Sequence, residues 1–467
     1  MHSYPMLIDG RLVNTAEQDN VINPALGAPF ATCARATTTQ VDAAVEAAAR
    51  AFRSWRKDQA FRRAKLKECA AAIQKRAQDI GMLLSQEQGK PVAAAAGEVY
   101  GAAFWFSYFA DLAIEPEILK DDHEKRVQIV RKPLGVVAAI TPWNFPVILL
   151  SWKLAPALLA GNTVVAKPSP FTPLTSLMVG DILKDILPAG VLNIISGSGE
   201  LGAQLASHPQ VRKISFTGSV ATGKKIMAYA AEDLKRVTLE LGGNDPAIVL
   251  DDVDPNAVVD GLFWGAFQNS GQVCTAIKRL YVHEKVYEPI VKGLIERAKS
   301  VKMGNGLEPD TQLGPINNQM QLTKVMELVE DARQNGAKIE VGGSRLDSPG
   351  YFYPPTIVTN VHSGMRLVDE EQFGTALPVL KYKHLEDALE QASRTHYGLG
   401  ASVWTSDVKR GEALVQEIES GTGWVNQHMD LTPYAPFGGC KWSGIGYENG
   451  IWGYHEFTEM QVVNAKK

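Results

Sequence analysis

GVVAAIT, at residues 135–141, is the first of several short runs of β-branched and small apolar residues that decide the fold class. The same pattern recurs in NTVVAKP at 162–168, VLNIISG at 191–197 and KISFTGS at 213–219, with helical stretches between the runs. Because strands that alternate with helices assemble into parallel sheets, this part of the chain predicts a parallel α/β sheet.

A second series of such runs follows further along the chain. PAIVLDD at 246–252, RLYVHEK at 279–285 and ASVWTS at 401–406 have the composition of strands, and residues 285–300 have helical spacing. These elements predict a second α/β domain downstream of the first.

The flanking segments predict helices and exposed strands. Alanine-rich stretches with helical periodicity at 41–56 and 61–84 predict that the first hundred residues open with helices. Residues 117–131 and 454–467 alternate polar and apolar residues as exposed strands do. Such arms often pair with another subunit, so we expect a homo-oligomer.

Composition excludes several classes of partner. The chain has 467 residues and a net charge of -4 with both signs intermixed, which gives no field that would gather nucleic acid or an anionic membrane. The N-terminus lacks a signal peptide, and no stretch reaches the roughly 18 apolar residues of a membrane span, so we expect a cytoplasmic protein. The cysteines show no CxxC spacing and the histidines no paired pattern, which predicts no metal site.

Two features near the strand ends are candidates for ligand binding. Lys167 ends a β-rich run, where a lysine would face a ligand crevice, although a solvated surface lysine is the commoner case. Gly218, Ser219 and Gly223 lie where a strand turns into a helix, which suits a phosphate, although such turns are abundant in α/β proteins.

Three further residues are candidates for catalysis. Asn144, between two prolines in TPWNFP, carries an amide that could donate to an oxyanion or form a local Asx-turn. Glu240 lies among apolar residues, where desolvation raises the pKa of a carboxyl toward that of a general base. Cys274 is either a nucleophile or, like most free cysteines, a small buried apolar residue, and only its neighbours can decide.

The motifs that surround these residues resemble those of the aldehyde dehydrogenase superfamily over essentially the whole chain. TPWNFP, FTGSVATG, LELGGNDP, NSGQVC, DEEQFG and APFGGCKWSGIG occur in the family's order and at about its separations. The resemblance implies NAD(P)-dependent oxidation of aldehydes to acids. It also implies an aldehyde dehydrogenase-like α/β fold, with two Rossmann-like domains and a small β oligomerisation element.

The resemblance implies the following domains and assembly. Residues 1–114 and 134–242 would form the cofactor-binding domain, with 426–453 returning to it, and residues 243–425 would form the catalytic domain. Residues 115–133 and 454–467 would form oligomerisation arms in a homodimer or homotetramer.

The resemblance also assigns roles to residues. It implies Cys274 as the nucleophile, Glu240 as the general base, and Asn144 as an oxyanion donor together with the backbone N–H of Cys274. Relatives that pass the acyl group to coenzyme A generally lack the glutamate, so its presence favours release of a free acid. The implied cofactor-binding residues are Ile140, Trp143, Lys167, Gly218, Ser219, Gly223, Glu371 and Phe373. Pro170 stands where NAD-selective relatives often carry a glutamate, so we expect use of both NAD and NADP.

The implied substrate pocket is mostly apolar: Phe145, Leu149, Trp152, Val273, Thr275, Met429, Leu431 and Phe437. Succinate semialdehyde dehydrogenases commonly place an arginine where this chain has Trp152 and a cysteine where it has Ala276. Because a buried carboxylate without a partner is costly, an aromatic or medium-length apolar aldehyde fits better, and a semialdehyde is the alternative. Phe145 with Trp152 supplies part of the aromatic cage of betaine aldehyde enzymes.

Two alternative hypotheses do not involve aldehyde oxidation. Some members of the superfamily are structural proteins that have lost a catalytic or cofactor residue, whereas Cys274, Glu240, Asn144 and Lys167 are all present here. A cysteine hydrolase would need a histidine base, for which His283 is the nearest candidate in sequence, and the cofactor motifs would then go unused.

Overall fold

The computed structural model describes residues 1–467, which form two large sheets, two small sheets and the helices that cover them. The strands are β1 (His2–Tyr4), β2 (Met6–Ile8), β3 (Arg11–Val13), β4 (Gln18–Asn23), β5 (Ala28–Ala34), β6 (Glu117–Asp121), β7 (Lys125–Pro133), β8 (Val136–Ile140), β9 (Thr163–Lys167), β10 (Leu192–Ile194), β11 (Val211–Thr217), β12 (Arg236–Glu240), β13 (Asp245–Val249), β14 (Ile277–His283), β15 (Lys338–Val341), β16 (Thr356–Thr359), β17 (Ala376–Tyr382), β18 (Gly400–Trp404), β19 (Thr422–Val425), β20 (Gly444–Ile445) and β21 (Thr458–Lys466). The helices are α1 (Thr38–Trp55), α2 (Gln59–Lys75), α3 (Ala77–Gln88), α4 (Val92–Asp111), α5 (Pro146–Ala160), α6 (Leu174–Leu183), α7 (Gly199–Ser207), α8 (Val220–Glu232), α9 (Pro255–Phe267), α10 (Glu284–Ser300), α11 (Gln319–Gln334), α12 (Arg366–Asp369), α13 (Leu385–Ser393), α14 (Val408–Val415) and α15 (Gly450–His455).

The first large sheet has eight strands in the order β20-β12-β11-β8-β9-β10-β2-β3. Strands β8 to β12 are mutually parallel, as the β-rich runs predicted. The chain proceeds outward from β8 to β10 and then returns to place β11 on the other side of β8. In such doubly wound sheets, the crevice at this reversal, beyond the carboxyl ends of the strands, is where ligands bind.

The second large sheet has seven strands in the order β15-β16-β17-β14-β13-β18-β19. All neighbours are parallel except β15 and β16. Alternate residues of its central strands belong to different hydrophobic clusters, with Ile248 in one and Ala247 and Val249 in the other. The sheet is therefore covered on both faces, which explains the continuous apolar runs in its strands.

The two small sheets have three strands each. One has the order β1-β5-β4, and the other, β21-β7-β6, pairs the C-terminal strand with residues 117–133. Strand β21 is antiparallel to β7 from Thr458 opposite Pro133 to Lys466 opposite Lys125. The long exposed strands that the sequence predicted at both places therefore lie side by side in one chain.

The prediction that the chain opens with helices is wrong, because five strands precede the first helix. Asp9 and Gly10 have left-handed φ angles of 50° and 74°, which turn β2 back onto β3 as a tight hairpin. Leu7 then pairs with Ile194 at the edge of the first large sheet. The predicted helix over 61–84 is two helices, α2 and α3, with a break at Arg76.

No helix is both long enough and apolar enough to cross a membrane.

Candidate active site

Cys274 lies on a turn between α9 and β14 whose backbone is held in an uncommon conformation. Asn269 and Ser270 have left-handed φ angles of 52° and 56°, and Gly271 has a φ of 71°. A Cβ on Gly271 would lie 2.1 Å from the carbonyl oxygen of Gly374, so only glycine fits there. Left-handed non-glycine residues cost about 1–3 kcal/mol each and persist where the surroundings impose them, commonly at functional sites.

The thiol of Cys274 is half-buried, and its own backbone N–H donates to no atom of the chain. Burial raises the pKa of the thiol to about 12; the ammonium of Lys278 opposes this, and the carboxyls of Asp245, Glu240 and Glu371 add to it. The resting thiol is therefore protonated at neutral pH, beside an unused hydrogen-bond donor.

Asn144 lies in the loop between β8 and α5 and is buried. Its Nδ2 donates to the carbonyl oxygen of Gln272 at 2.9 Å, which ties this loop to the turn that carries Cys274. The amide nitrogen carries a second N–H that remains available to a ligand. The local Asx-turn that the sequence left open is not formed.

A buried ion pair between Lys90 and Glu98 contacts the loop between β8 and α5 and stabilises it. Lys90 Nζ donates to the carbonyl oxygen of Asn144 at 2.9 Å. Glu98 Oε1 accepts the N–H groups of Val147 and Ile148, at 2.9 and 3.2 Å, in the first turn of α5. The carboxylate thus satisfies N–H groups that a helix start leaves without partners.

Glu240 is the last residue of β12 and is fully enclosed, and neither carboxyl oxygen has a hydrogen-bond partner. Burial raises the pKa of this carboxyl well above its usual value; the charge of Glu448 raises it further and Lys153 opposes the rise. Lys153 Nζ lies 2.6 Å from Glu448 Oε1 and donates to Ser215 Oγ at 3.1 Å. A proton acceptor therefore lies next to a buried charge pair.

A cleft of about 620 Å³ opens at the reversal of the first large sheet and reaches Cys274 and Asn144. The implied cofactor residues in its wall are Ile140, Trp143, Lys167, Gly218, Ser219, Glu371 and Phe373. Gly223 lies outside it, in the first turns of α8, where a Cβ would come within 2.5 Å of the Leu241 side chain. Glycine is needed at this position because helix α8 packs closely against Leu241 there.

The cleft holds polar groups whose partners within the chain are incomplete. Lys167 is buried, its Nζ makes one hydrogen bond, to the carbonyl oxygen of Pro168 at 3.2 Å, and burial lowers its pKa to about 8. One oxygen of Glu371 accepts the N–H of Gly243 at 3.0 Å. Ser219 caps the start of α8, whose N–H groups suit a phosphate. These residues fit a ligand that carries both hydroxyls and phosphates, as a dinucleotide does.

An aromatic cluster centres on Trp152, one of the implied pocket residues. Trp152 stacks on Trp105, with ring centroids 5.6 Å apart, and meets Phe437 edge-on at 5.5 Å. The indole N–H of Trp152 is buried and has no acceptor. Of the implied pocket residues, Leu149, Trp152 and Phe437 belong to the large core cluster of the first sheet, and Phe145 and Leu431 pack against that core, as Cys274 does.

The other implied pocket residues lie around the nucleophile turn and its neighbouring loop. Val273 and Thr275 are buried on either side of Cys274, and Thr275 Oγ1 has no partner. Met429 is half-buried, with a left-handed φ of 64°, in the loop that follows β19.

Neither His283 nor His428 is placed to act as the base of a cysteine hydrolase. His283 ends the seven-residue strand β14, which Cys274 precedes, so the two lie about 20 Å apart at some 3.3 Å per residue. His428 is closer, but its Nε2 lies 2.7 Å from the carbonyl oxygen of Thr275 and burial lowers its pKa to about 3.

Comparison with known proteins identifies the family. The model of the aldehyde dehydrogenase family matches residues 13–463. The chain belongs to this family. It is therefore an oxidoreductase that acts on aldehydes, as the sequence motifs predicted.

Relatives within the aldehyde dehydrogenase family act on different aldehydes. Betaine aldehyde dehydrogenase 1 of Oryza sativa subsp. japonica is 42% identical over 462 residues, 95% of this chain and 91% of the relative. The mitochondrial succinate-semialdehyde dehydrogenase of the same plant is 40% identical over 469 residues, 98% of this chain and 88% of the relative. The NAD+ complex of an aldehyde dehydrogenase from Bacillus cereus superposes with a TM-score of 0.97 at 36% identity, covering 100% of this chain and 97% of that one. The predicted fold is thus confirmed, while the relatives differ in substrate.

The sequence did not single out several charged residues that support this aldehyde dehydrogenase site, namely Lys90, Glu98, Lys153, Lys278 and Glu448. One signal was present for Lys153, which interrupts the apolar helix α5. A charge within an apolar segment is buried only where it is paired, so it predicts an acidic partner from elsewhere in the chain.

Proposed function

We propose that this aldehyde dehydrogenase oxidises an aromatic or medium-length apolar aldehyde to the free carboxylic acid, using NAD or NADP. The observation that carries the proposal is the enclosed, unpaired carboxyl of Glu240, which is close enough to Cys274 to raise the pKa of its thiol. A carboxyl so placed has no partner to stabilise it and is suited to activating water.

The first step is nucleophilic. The thiol of Cys274 loses its proton to water, and its sulfur adds to the aldehyde carbon, so that the carbonyl oxygen becomes an alkoxide. The free N–H of Cys274 and the second amide N–H of Asn144 are the donors for that oxygen. Losing one such donor raises a barrier by about 3 kcal/mol. A nicotinamide cofactor, when bound, supplies the hydride acceptor that converts the adduct into a thioester on Cys274.

The second step is hydrolysis of the thioester. Glu240 takes a proton from water, the resulting hydroxide attacks the acyl carbon, and the sulfur of Cys274 leaves. Because burial raises the pKa of Glu240, its carboxylate binds a proton more tightly than a solvated carboxylate does, which suits it to take one from water. The charge of Lys153 opposes that rise.

The cofactor proposal extends to both nucleotides. The superposed Bacillus cereus enzyme was solved with NAD+, which supports NAD here. Pro170 lines the same cleft as Lys167 and offers no carboxylate to repel a 2′-phosphate. Lys225 adds a cation to this wall and Glu200 adds a carboxylate. An NAD preference above about a thousandfold, some 4 kcal/mol, would contradict this use of Pro170.

The substrate proposal rests on charge as well as shape. Both lysines near the aromatic cluster, Lys90 and Lys153, are neutralised by buried carboxylates, so neither is free for a substrate carboxylate. A dicarboxylic semialdehyde would leave its second carboxylate unpaired, which is costly. Succinate semialdehyde remains the second candidate because a dehydrogenase of that name is 40% identical.

We also propose a function for each domain of the chain. Residues 1–114, 134–242 and 426–453 would bind the cofactor, and residues 243–425 would carry the nucleophile. Residues 115–133 and 454–467 would form the arm of a homodimer or homotetramer. The pairing of β21 with β7, which leaves β21 at the edge of its sheet, supports such an arm.

The test is reduced-nucleotide formation with aromatic, aliphatic, dicarboxylic and cationic aldehydes, each with NAD and with NADP. We expect aromatic aldehydes to give the highest kcat/KM, both nucleotides to work, and Cys274→Ala to be inactive. Trp152→Ala should lose far more activity toward aromatic than toward short aliphatic aldehydes, because it removes a stacked ring.

Three outcomes would count against parts of the proposal. Equal losses for both aldehyde classes in Trp152→Ala would mean that this ring only supports the fold. If succinic semialdehyde gave the highest kcat/KM, the pocket assignment would be refuted and the mechanism would stand. Activity in Cys274→Ala, or none in the wild type with any aldehyde, would refute the mechanism.

A further inference from the structure

Lys278 is a buried lysine whose ammonium lies beneath the turn that carries the nucleophile. Its side chain is 3% exposed. Its Nζ donates to the carbonyl oxygens of Val273 and Cys274, at 2.8 and 2.7 Å. The nearest carboxylate oxygen, on Glu371, forms an ion pair with it at 3.8 Å, longer than either hydrogen bond to a carbonyl oxygen. A buried ammonium held mainly by carbonyl groups is expensive, so its position calls for a functional explanation.

The first carbonyl group belongs to a particular peptide unit. The C=O of Val273 and the N–H of Cys274 are the two ends of one amide. A hydrogen bond from a cation to the oxygen draws electrons from the amide and makes its N–H a stronger donor. That N–H is the one that donates to no atom of the chain.

The charges around the thiol of Cys274 lead to the same residue. Asp245, Glu240 and Glu371 all raise the pKa of this thiol, and Lys278 is the group that lowers it. Arg279 and Lys324 act on two of these carboxyls, Asp245 and Glu371, and His428 stays neutral because burial lowers its pKa to about 3. Lys278 is therefore the cation that opposes the rise in the thiol pKa, although burial and the three carboxyls outweigh it.

We propose that Lys278 is a positioning residue for the chemistry at Cys274. Its ammonium polarises the Val273–Cys274 peptide, strengthens the N–H donor that faces the reacting oxygen, and supplies the positive charge that favours the thiolate. The donor part rests on the proposed function, whereas the thiolate part concerns the thiol alone. The competing explanation is that Lys278 only ties the turn together through its hydrogen bonds.

Substitutions at Lys278 separate charge from tethering. Lys278→Gln keeps a hydrogen-bond donor without charge, Lys278→Met removes both, and Lys278→Arg keeps both. Lys285→Met is the matched control, because Lys285 is exposed and pairs with Asp251 on the surface of the same domain. For each protein, the rate at which iodoacetamide alkylates the Cys274 peptide is followed by mass spectrometry at fixed pH values from 7 to 9, which lie below the thiol pKa of about 12. The thermal midpoint, kcat and KM are measured on the same proteins.

We expect the alkylation rate at each pH to fall about tenfold or more in Lys278→Gln and Lys278→Met, because a smaller fraction of the thiol is ionised. We also expect kcat to fall about tenfold to a hundredfold, with a much smaller change in aldehyde KM. Lys278→Arg should retain most of both properties, and Lys285→Met should match the wild type.

A wild-type alkylation rate and kcat in folded Lys278→Gln would overturn the proposal, since tethering alone would then suffice. If Lys278→Met fails to fold, Lys278→Gln and Lys278→Arg still separate charge from tethering. Alkylation needs no aldehyde or nucleotide. A lower alkylation rate in an enzyme that oxidises no aldehyde would therefore refute the proposed function and support the role of Lys278 at the thiol.

Discussion

At the scale of one residue, the buried carboxyl of Glu240 lowers the free energy of unfolding and also supplies the base for the proposed reaction. Its pKa in the folded chain is raised well above the value of about 4.3 expected when unfolded, so the folded state binds this proton more tightly. The free energy of unfolding therefore falls as pH rises from the unfolded pKa through the folded one. Glu240→Gln removes that penalty and also removes the base that activates water.

We expect Glu240→Gln to raise the free energy of unfolding by about 1 kcal/mol at neutral pH, with a gain in thermal midpoint that is larger at pH 9 than at pH 5. The same variant should release one equivalent of reduced nucleotide per active site in a burst and then stall at the thioester. Calorimetry and stopped-flow absorbance measure the two effects. Glu459→Gln, an exposed change of the same charge, is the control. Steady turnover without a burst would show that Glu240 is not the base.

At the scale of elements, the loop between β8 and α5 depends on helix α4. Glu98 on α4 accepts the first N–H groups of α5 and pairs with Lys90, which binds the carbonyl oxygen of Asn144. Burial lowers the pKa of Lys90 and the charge of Glu98 opposes that fall. Removing one partner of a buried pair leaves an unpaired charge, at a cost of about 3–5 kcal/mol.

Glu98→Gln should therefore destabilise the protein by about 3 kcal/mol and lower kcat, because the Asn144 amide loses its fixed position. The double variant Lys90→Met with Glu98→Gln should recover part of the stability and little of kcat. Asp79→Asn, which breaks an exposed pair with Arg76, should change neither. Denaturant unfolding and steady-state kinetics measure the outcome, and an unchanged kcat in folded Glu98→Gln would show that Asn144 needs no such support.

The elements that the sequence predicted and those it missed differ in length and in the distance between partners. The buried strands of the large sheets were predictable because each contains a short run of mainly apolar residues, as VVAAI in β8 and VVA in β9. The hairpin of β2 and β3 was missed because three-residue strands are too short to show alternation. The pair of Lys153 with Glu448 was missed because 295 positions separate them, a distance that no local pattern spans.

At the scale of the whole molecule, the edge strands β21 and β19 are the ones with features of a subunit contact. Strand β21 ends its small sheet with Met460 and Val462 exposed by 64% and 61%, and β19 ends the second large sheet. A long exposed edge strand with apolar side chains invites pairing with another chain, so a monomer should not persist. A groove of about 820 Å³ beside β19 has a mixed lining, with Val415 and Trp424 among its apolar residues and Glu412 and Gln416 among its polar ones.

We therefore expect the wild type to be a homodimer or homotetramer, and Met460→Lys with Val462→Lys to shift it toward monomer, because charges on this strand oppose association. Multi-angle light scattering after size exclusion measures the mass. The thermal midpoint of the variant should become lower as the protein is diluted. Leu234→Lys, at a site exposed by 89% and outside the arm, is the control and should keep the wild-type mass. A monomeric wild type, or a double variant of unchanged mass, would contradict the role of the arm. A folded double variant that is monomeric yet keeps its kcat would show that each chain contains a complete active site.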